Sequence, residues 1–387
     1  MKVAYYSPLP PERSGIADYS ALLLPALAER VGVVVARPGR FRRAPRADLA
    51  LYHVGNDPQA HGWIVDALRR RPGVVVLHDF VLHHLVSGIT LARGNAAGYL
   101  DAMEREAGLV GRLLGHAVIE ARIDPLWETR PQDFPLAREV LGLATGVIVH
   151  SRHLEGRVRD AGYRGPVWQI PMPAWPVPAV EPEAYEGAPL YGCFGHINES
   201  KRIPQLLAAF ARLRQRRPEA RLLLVGGTSP RMADLDVPEG VTREDYVDEP
   251  HLWALMAACD AHVSLRWPTM GETSAVVVRA LSLGKPLVVS DVGSFSELPD
   301  EVALKVPVDG REVESLASAL ELLASDAARR SAMGEAAHAL AESEHRLDAV
   351  ADAYAAALED ALSAEASKRQ LVAETTAAAR IARGSRA

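Results

Sequence analysis

The chain is short of cysteine and aromatic residues, and it carries no excess of basic residues. Cys193 and Cys259 are the only cysteines among 387 residues, too few for a disulfide framework or a cysteine metal site. The formal net charge of -6 argues against a dedicated nucleic-acid-binding protein, whose domains are usually basic. We therefore expect a globular protein of a reducing compartment, with no nucleic-acid partner.

Long apolar segments are also missing. No run of about 18 apolar residues occurs, and the first residues, MKVAYYSPLPPERSG, lack the apolar core of a secretory signal. We expect a cytoplasmic protein without a membrane-spanning helix. Peripheral attachment to the inner face of a membrane stays open.

The first half of the chain alternates apolar strands with helices. Strands are predicted from Lys2 to Tyr6, Val31 to Ala36, Leu49 to Val54, Val74 to Asp79 and Gly146 to Val149. This alternation predicts a parallel, doubly wound α/β sheet.

Polar residues follow two of these strands abruptly. Parallel strands present the residues at their carboxyl ends on one rim, so His53, Asn56, His78 and Asp79 are candidates for a shared binding edge. Structural roles, with each side chain bonded to a neighbour, are the alternative. His83 and His84 beside His78 suggest zinc, yet no third ligand stands at a suitable spacing, and we predict no metal site.

The loop after the first strand leads through Gly15 into a helix. A glycine there permits close approach of a ligand to the backbone, or simply a tight turn. Five arginines between Arg37 and Arg46 form either a solvated loop or a surface for an anionic acceptor or lipid.

A proline-rich stretch divides the chain. We predict an N-terminal Rossmann-like domain at 1–172, a linker at 173–189 and a C-terminal Rossmann-like domain at 190–341. A helix at 342–365 is expected to cross back to the first domain, and 366–387 is expected to be a basic polar tail, frayed or used for interaction.

The stretch from Trp267 to Pro299 has the pattern of an anion site. Gly271-Glu272-Thr273-Ser274 precedes a helix that Gly284 ends, and a buried strand follows. The N–H groups and dipole at a helix N-terminus favour negative charge. Lys201 and Arg202, at an earlier strand-to-helix crossing, are further candidates for binding a phosphate, or else the solvated start of a helix.

The combined motifs of the second half resemble the retaining glycosyltransferases of family 4. They are the polar loop Gly195–Lys201, the Leu-Leu-Val-Gly-Gly turn at Gly226 and Gly227, the turn at Gly271, and the Gly-Lys-Pro-Leu-Val-Val-Ser-Asp-Val-Gly segment from Gly284. The resemblance is strong from Gly192 to Pro299 and looser around Tyr6 to Tyr19 and Val74 to Asp79. It implies a GT-B fold, with two Rossmann-like domains facing each other across a cleft.

The resemblance also implies roles for particular residues. His78 resembles the histidine that reaches the donor sugar, Lys201 resembles the lysine that contacts the donor diphosphate, and Glu272 is a candidate near the donor sugar. The implied donor-binding positions are Gly15, Gly195, His196, Arg202, Gly226, Gly227, Val247, Gly271, Thr273, Ser274 and Arg279. His53, Asn56 and Asp79 fall on the acceptor side.

Two positions depart from the family pattern. The family often carries two glutamates eight residues apart, the second of which holds the ribose, where this chain has Gly271 and Arg279. An arginine cannot accept hydrogen bonds from ribose hydroxyls. His196 stands where the family commonly has an arginine, and Arg202 or Arg279 is a candidate to supply that charge.

The resemblance predicts transfer of a sugar from a nucleoside-diphosphate sugar, with UDP- or GDP-sugar favoured, to an acceptor hydroxyl with retention of configuration. No cofactor or metal is expected, since no Asp-x-Asp pair is suitably placed. The acceptor is a carbohydrate, a lipid-linked molecule or a small molecule, in bacterial polysaccharide, glycolipid or natural-product glycosylation. The alternatives are a sugar-nucleotide epimerase or hydrolase of the same fold, and a non-catalytic nucleotide-sugar-binding subunit.

Overall fold

The computed structural model describes residues 1–12, 14–39 and 45–384, with side chains as far as residue 367. Two compact units are present. The first comprises 1–150, 155–170 and 350–387, and the second comprises 151–154 and 171–349. Three arginines of the arginine-rich loop, Arg40, Arg42 and Arg43, lie outside the described residues.

The first unit is built on a parallel sheet of six strands in the order β2-β1-β3-β4-β5-β6. Its strands are β1 (Lys2–Tyr6), β2 (Gly32–Val35), β3 (Leu49–Val54), β4 (Gly73–Leu77), β5 (Ala144–Val149) and β6 (Val167–Gln169). The central strands β3 and β4 are buried along their whole length, as their continuous apolar sequences predict. The strand order reverses between β1 and β3.

Helices connect these strands on both sides of the sheet, and several begin at clear sequence signals. Ser14 caps the first helix by accepting from the Ala17 N–H, and Asp57 caps the second in the same way. The helices are α1 (Gly15–Ala28), α2 (Pro58–Arg70), α3 (His83–Ile89), α4 (Ala96–Ile119), α5 (Leu126–Thr129), α6 (Arg138–Leu143) and α7 (Arg152–Asp160). α4 is interrupted at Ala107 and Gly108, whose backbone angles are not helical.

The second unit repeats the design with a parallel sheet in the order β12-β11-β10-β7-β8-β9. Its strands are β7 (Leu190–Phe194), β8 (Arg221–Val225), β9 (Val241–Glu244), β10 (Ala261–Ser264), β11 (Leu287–Ser290) and β12 (Ala303–Val306). Counted along the unit this is the 3-2-1-4-5-6 order of a Rossmann fold, which reverses between β7 and β10. The sequence prediction of parallel α/β units is confirmed.

Two helical layers cover this second sheet. The helices are α8 (Ile203–Arg214), α9 (Glu249–Ala258), α10 (Ala275–Ser282), α11 (Glu312–Ser325) and α12 (Ala327–Glu344). Leu222 and Leu224 of β8 share a core with α8 and α11, whereas Leu223 and Val225 share one with α9, α10 and α12. Because side chains alternate along a strand, successive residues of β8 pack against the two different helical layers.

The carboxyl-terminal helix α13 (Leu347–Gly384) differs from the prediction. It has 38 residues and continues through most of the region expected to fray, whereas 385–387 lie outside the described residues. Its first half is held to the first unit, where Tyr354 and Tyr19 join their hydroxyls at 2.6 Å and Asp352 lies 2.5 Å from Arg30. Among the described residues, no helix has both the length and the apolar content needed to cross a bilayer.

The proline-rich stretch was predicted to be a linker, and its backbone forms no helix or strand between 170 and 189. Most of it nevertheless belongs to the second unit. The Ala174 N–H donates to the carbonyl of His345 at 2.6 Å, and the Glu183 N–H donates to the carbonyl of Ala254 at 3.2 Å. These bonds hold the segment along the second unit, and its role as a linker between domains stays a prediction.

Candidate functional site

The reversal of strand order in the second unit produces a crevice between the loops that follow β7 and β10. In an open α/β sheet these loops diverge, and ligands bind at the carboxyl ends of the strands between them. The loop after β7 contains Gly195 to Arg202, and the loop after β10 contains Leu265 to Ser274. The residues that sequence reasoning assigned to phosphate binding are concentrated in these two loops.

Lys201 is a buried cation in the first of these loops. It ends a short 3-10 turn, retains 8% exposure and donates from Nζ to the carbonyl of Phe194 at the end of β7. Burial lowers the pKa of its amine from 10.5 to about 8, and the nearby Arg266 acts in the same direction. Lys201 is therefore held beneath the carboxyl edge of the sheet at an energetic cost.

Gly195 gives access to that amine. A β-carbon on Gly195 would lie 2.9 Å from Nζ of Lys201, and the backbone at Gly195 has a φ of 87°. Gly226 is restricted for a related reason, since a β-carbon there would lie 2.5 Å from the carbonyl oxygen of Gly195. A side chain on Gly195 would displace the Lys201 amine, and one on Gly226 would displace the backbone of Gly195.

Arg266 is the second cation of the crevice, and the sequence reasoning missed it. Its backbone N–H donates to Oγ of Ser290 at 2.9 Å, and Nη1 donates to Oγ of Ser200 at 3.2 Å. Its Nε lies 2.9 Å from Oε1 of Glu272. The signal available in the sequence was position, because Arg266 follows a buried strand as abruptly as His78 does.

Glu272 stabilises the turn that precedes α10. Its Oε2 accepts from the Met270 N–H at 2.7 Å and from the Thr269 hydroxyl at 3.0 Å, while Oε1 faces Arg266. Gly271, with a φ of 90°, permits the reversal of direction that brings this carboxylate back. The turn and Arg266 are thus joined through one side chain.

The N-terminus of α10 supplies further donors. Ser274 caps the helix through Oγ, which accepts from the Val277 N–H at 3.5 Å. Oγ1 of Thr273 is buried and has no hydrogen-bond partner within the described ranges. Together with the free N–H groups of a first helical turn, these atoms suit an anion.

Three other positions that were predicted to bind the sugar donor lie at the same edge of the sheet. His196 is exposed directly after β7, and Gly227 follows β8 with its α-carbon facing the His196 ring. Val247 precedes α9 and is partly buried against the core. They lie with Lys201 at the carboxyl edge of the sheet, and their role in binding the rest of a nucleotide stays a prediction.

Arg202 is directed elsewhere. Its φ of 55° turns the side chain away from the preceding lysine, and its guanidinium forms two hydrogen bonds with the carboxylate of Glu312, which is 3% exposed at the start of α11. This corrects the suggestion that Arg202 compensates for His196, because its charge is already engaged by a buried carboxylate.

Arg279 is also enclosed. It is 5% exposed, its guanidinium carbon lies 4.2 Å from the centre of the Trp175 ring and 5.9 Å from that of Trp253, and Nη2 lies 3.7 Å from Oε1 of Glu249. Such contacts are typical cation–π packing. Arg279 fastens the proline-rich segment to α10, so the suggestion that it supplies charge to the diphosphate is corrected as well.

The first unit brings together a different group of predicted residues. Nε2 of His78, which is 5% exposed, lies 3.0 Å from Nδ1 of His53, which is 0% exposed. His61 donates from Nδ1 to the carbonyl of His53 at 3.0 Å. Burial, followed by the neighbouring histidines, holds the pKa of both His53 and His78 well below 6.5. His53 was predicted to contact the acceptor substrate directly. Its complete burial corrects this prediction.

Asn56 and Asp79 are brought together by backbone contacts. The Asn56 N–H donates to Oδ2 of Asp79 at 2.8 Å, and Oδ1 of Asn56 accepts from the Leu85 N–H at 3.1 Å within α3. Gly15 begins α1, and a β-carbon there would meet nothing within 4 Å. Neither packing nor backbone angle requires the glycine.

One group of metal-ligating side chains occurs in the part of the chain that the structure describes. His251 lies 2.9 Å from Oε2 of Glu183 and 3.9 Å from Oε2 of Glu244. These residues are separate from the Lys201 and Arg266 group, and they bond to one another.

Comparison with known proteins finds similarity to glycosyltransferases. Residues 188–326, about a third of the chain, match the family model described as "Glycosyl transferases group 1". D-inositol 3-phosphate glycosyltransferase of Pseudarthrobacter chlorophenolicus is 33% identical over 154 residues, which are 37% of this chain and 36% of that protein. The match therefore spans about a third of that relative's length.

Solved structures share the fold over nearly the whole chain. Sucrose-phosphate synthase from Thermosynechococcus elongatus is 19% identical with a TM-score of 0.61, over 97% of this chain and 100% of that chain. Anabaena HepE, solved in complex with UDP-glucose, is 17% identical with a TM-score of 0.60, over 93% of this chain and 100% of the HepE chain. The chain has the GT-B fold of glycosyltransferases, and its second unit is similar to glycosyl transferases of group 1.

Proposed function

We propose that the protein is a retaining glycosyltransferase of family 4 that transfers a sugar from a nucleoside-diphosphate sugar to an acceptor hydroxyl. The observation that carries the proposal is the meeting of Lys201, Arg266 and the N-terminus of α10 at the point where the second sheet reverses. The group 1 match over residues 188–326 includes all three.

The charges suit a diphosphate. Two cations and one carboxylate, Glu272, face the crevice, and the helix N-terminus adds partial positive charge. A diphosphate joined to a sugar carries two negative charges at neutral pH, so it would relieve the mutual repulsion of Lys201 and Arg266. In this proposal the chain's own groups neutralise the leaving diphosphate, without a required metal.

The reaction follows from that arrangement. The bond between the anomeric carbon and the diphosphate oxygen breaks, and the negative charge that develops on that oxygen is stabilised by Lys201, Arg266 and the backbone N–H groups. The acceptor oxygen bonds to the same face of the sugar, and its proton passes to the departing diphosphate. His78 of the first unit is proposed to contact the donor sugar, and Gly15 to lie near the reacting phosphate.

The donor and the setting are further proposals. The complex of HepE with UDP-glucose supports a UDP-sugar, and GDP-sugar is the alternative. Two free, buried cysteines fit a cytoplasmic location. A carbohydrate, a small molecule or a lipid-linked acceptor at the membrane surface is compatible with the proposal.

The test is a donor screen followed by product analysis. A donor that binds the native state raises its melting temperature, so UDP-, GDP-, ADP- and TDP-sugars are compared first. Transfer with the selected donor is then followed by proton NMR of the anomeric signal, with and without EDTA. Inversion at the anomeric carbon would overturn retention, loss of activity in EDTA would overturn metal independence, and donor turnover without acceptor would favour an epimerase or hydrolase.

A further inference from the structure

We propose that His53 is a positioning residue that donates a hydrogen bond from Nδ1 to Nε2 of His78 and thereby keeps the His78 proton on Nδ1. Its significance for transfer rests on the proposed function, in which His78 contacts the donor sugar. The hydrogen bond itself is a property of the first unit.

The geometry leaves the two rings in direct contact. Nδ1 of His53 and Nε2 of His78 are 3.0 Å apart, and the rings lie 5.3 Å centre to centre at 26°. Between two neutral imidazoles, one nitrogen must donate and the other must accept. The remaining question is which ring donates.

The far side of the His53 ring decides this. Nε2 of His53 is buried and has no hydrogen-bond partner among the residues that the structure describes. If Nδ1 accepted, the proton of neutral His53 would sit on Nε2 as a buried, unpaired N–H group. Unpaired buried N–H groups are rarer than under-used acceptors, so the proton belongs on Nδ1, where His78 accepts it.

The surroundings keep the rings neutral and fixed. His61 and His150 donate from Nδ1 to the carbonyls of His53 and Ile170, at 3.0 and 2.8 Å, and Tyr19 packs edge-on against His78 at 5.1 Å. Burial, followed by His150, His53 and His61, lowers the pKa of His78 well below 6.5. A single, neutral tautomer of His78 is therefore the species present at pH 7.

The consequence is the polarity of the contact that His78 offers. With Nε2 occupied by His53, the ring of His78, which is 5% exposed, has Nδ1–H left to offer, a donor. It would recognise an oxygen with an available lone pair, such as a sugar hydroxyl, and would not accept a proton from one. His53 thus makes His78 a hydrogen-bond donor toward a ligand that His53 itself does not contact.

The tautomer can be measured directly. Full-length protein labelled with ¹⁵N-histidine is studied by long-range proton–nitrogen correlation, with the His78 signals assigned by comparison with His78→Gln. We expect a protonated Nδ1 and an unprotonated Nε2 in the wild type. A proton on Nε2 of His78 would overturn the proposal.

Two variants of matched size complete the test. His53→Asn keeps a side-chain N–H at the depth of Nδ1 and should preserve the His78 tautomer, whereas His53→Leu removes it and should give a mixture. An unchanged tautomer in His53→Leu also overturns the proposal. Retained melting temperatures exclude loss of fold.

Kinetics separate this proposal from the proposed function. We expect kcat/KM for the donor sugar to fall about tenfold in His53→Leu and to recover in His53→Asn, the scale of one lost hydrogen bond. The affinity for UDP, which lacks the sugar, should stay unchanged. A protein without any transferase activity would refute the proposed function while the NMR experiment still decided the role of His53.

Discussion

Nε of Arg266 lies 2.9 Å from Oε1 of Glu272, and the second oxygen of that carboxylate closes the turn before α10. This pair joins the loop after β10 to a helix N-terminus. The Arg266–Glu272 pair holds a guanidinium beside the amine of Lys201 although the two positive charges repel each other. This arrangement is expected of a site that binds an anion.

Arg266→Gln should weaken binding of UDP about tenfold or more, because one of the two cations of the proposed diphosphate site is lost. Isothermal titration at several salt concentrations measures both the affinity and its salt dependence, which should also decrease. Arg217→Gln is the control, since the guanidinium of Arg217 pairs with Glu321 of α11 and is not part of the proposed site. Equal affinities in wild type and Arg266→Gln would exclude Arg266 from the diphosphate site.

Lys201→Met should reduce kcat by about 10²-fold, the effect typical of removing one group that stabilises developing negative charge. Stability should be maintained or increased, because a buried amine is replaced by an apolar chain of similar length. Steady-state kinetics and urea unfolding test the two expectations. Wild-type turnover in this variant would refute the proposed role of Lys201.

Lys201 also predicts a dependence on pH. Its folded pKa of about 8 lies below the unfolded value of 10.5, so its charge opposes folding fully below pH 8 and ceases to do so as pH rises through 10.5. The contribution is about 3 kcal/mol at most. Wild type should therefore gain stability relative to Lys201→Met between pH 8 and 10.5, and a constant difference would contradict the burial argument.

Arg202→Ala should destabilise the second unit by about 3 kcal/mol, because Glu312 would be left as a buried carboxylate without its partner. Affinity for UDP should change little, in contrast to Arg266→Gln. The double variant Arg202→Ala, Glu312→Ala, measured by urea unfolding, should recover part of the loss. A large loss of UDP affinity with normal stability would return Arg202 to the donor site.

Gly15→Ala should leave stability unchanged or slightly raised, because the added methyl group meets open space at the first position of a helix. If a phosphate approaches this backbone, transfer should fall while the melting temperature does not. Gly142→Ala, also at a helical position with nothing within 4 Å, is the matched control. Full activity of Gly15→Ala would remove Gly15 from the proposed site.

Trp175→Ala should cost about 3 kcal/mol, since a buried indole is removed and Arg279 loses its aromatic face. Cleavage of the proline-rich segment by protease should become faster. Trp267→Ala, at a tryptophan that is 48% exposed, should have a much smaller effect on urea unfolding. Comparable stability losses in the two variants would contradict the packing role of Trp175.

The sequence predicted those parts of the fold that depend on local pattern. Apolar runs located β1 to β5 and β11, Ser274 and Gly284 marked the ends of α10, and β6 and β12 were not predicted. β6 was missed because Val167–Gln169 is short, mixed in polarity and paired at a sheet edge. Such a strand depends on a neighbour distant in sequence for its existence.

The site was predicted less completely for the same reason. Lys201 and Arg202 are adjacent in sequence, yet Lys201 donates to the carbonyl of Phe194 and Arg202 to the carboxylate of Glu312. Arg266 acquires its place through Glu272 and Ser200, and Arg279 through Trp175. Contacts between distant segments determined which cation faces the crevice, and the sequence pattern does not contain them.

The buried amine of Lys201 links the stability of the second unit to the binding of an anion. Burial of this cation lowers the stability of the fold, and an anion bound beside the amine would offset that cost. Because small changes in stability alter how much of a protein escapes degradation, the proposed function predicts that cells poor in the nucleotide sugar also hold less of the protein. Supply of the donor would then regulate the amount of the protein as well as its rate.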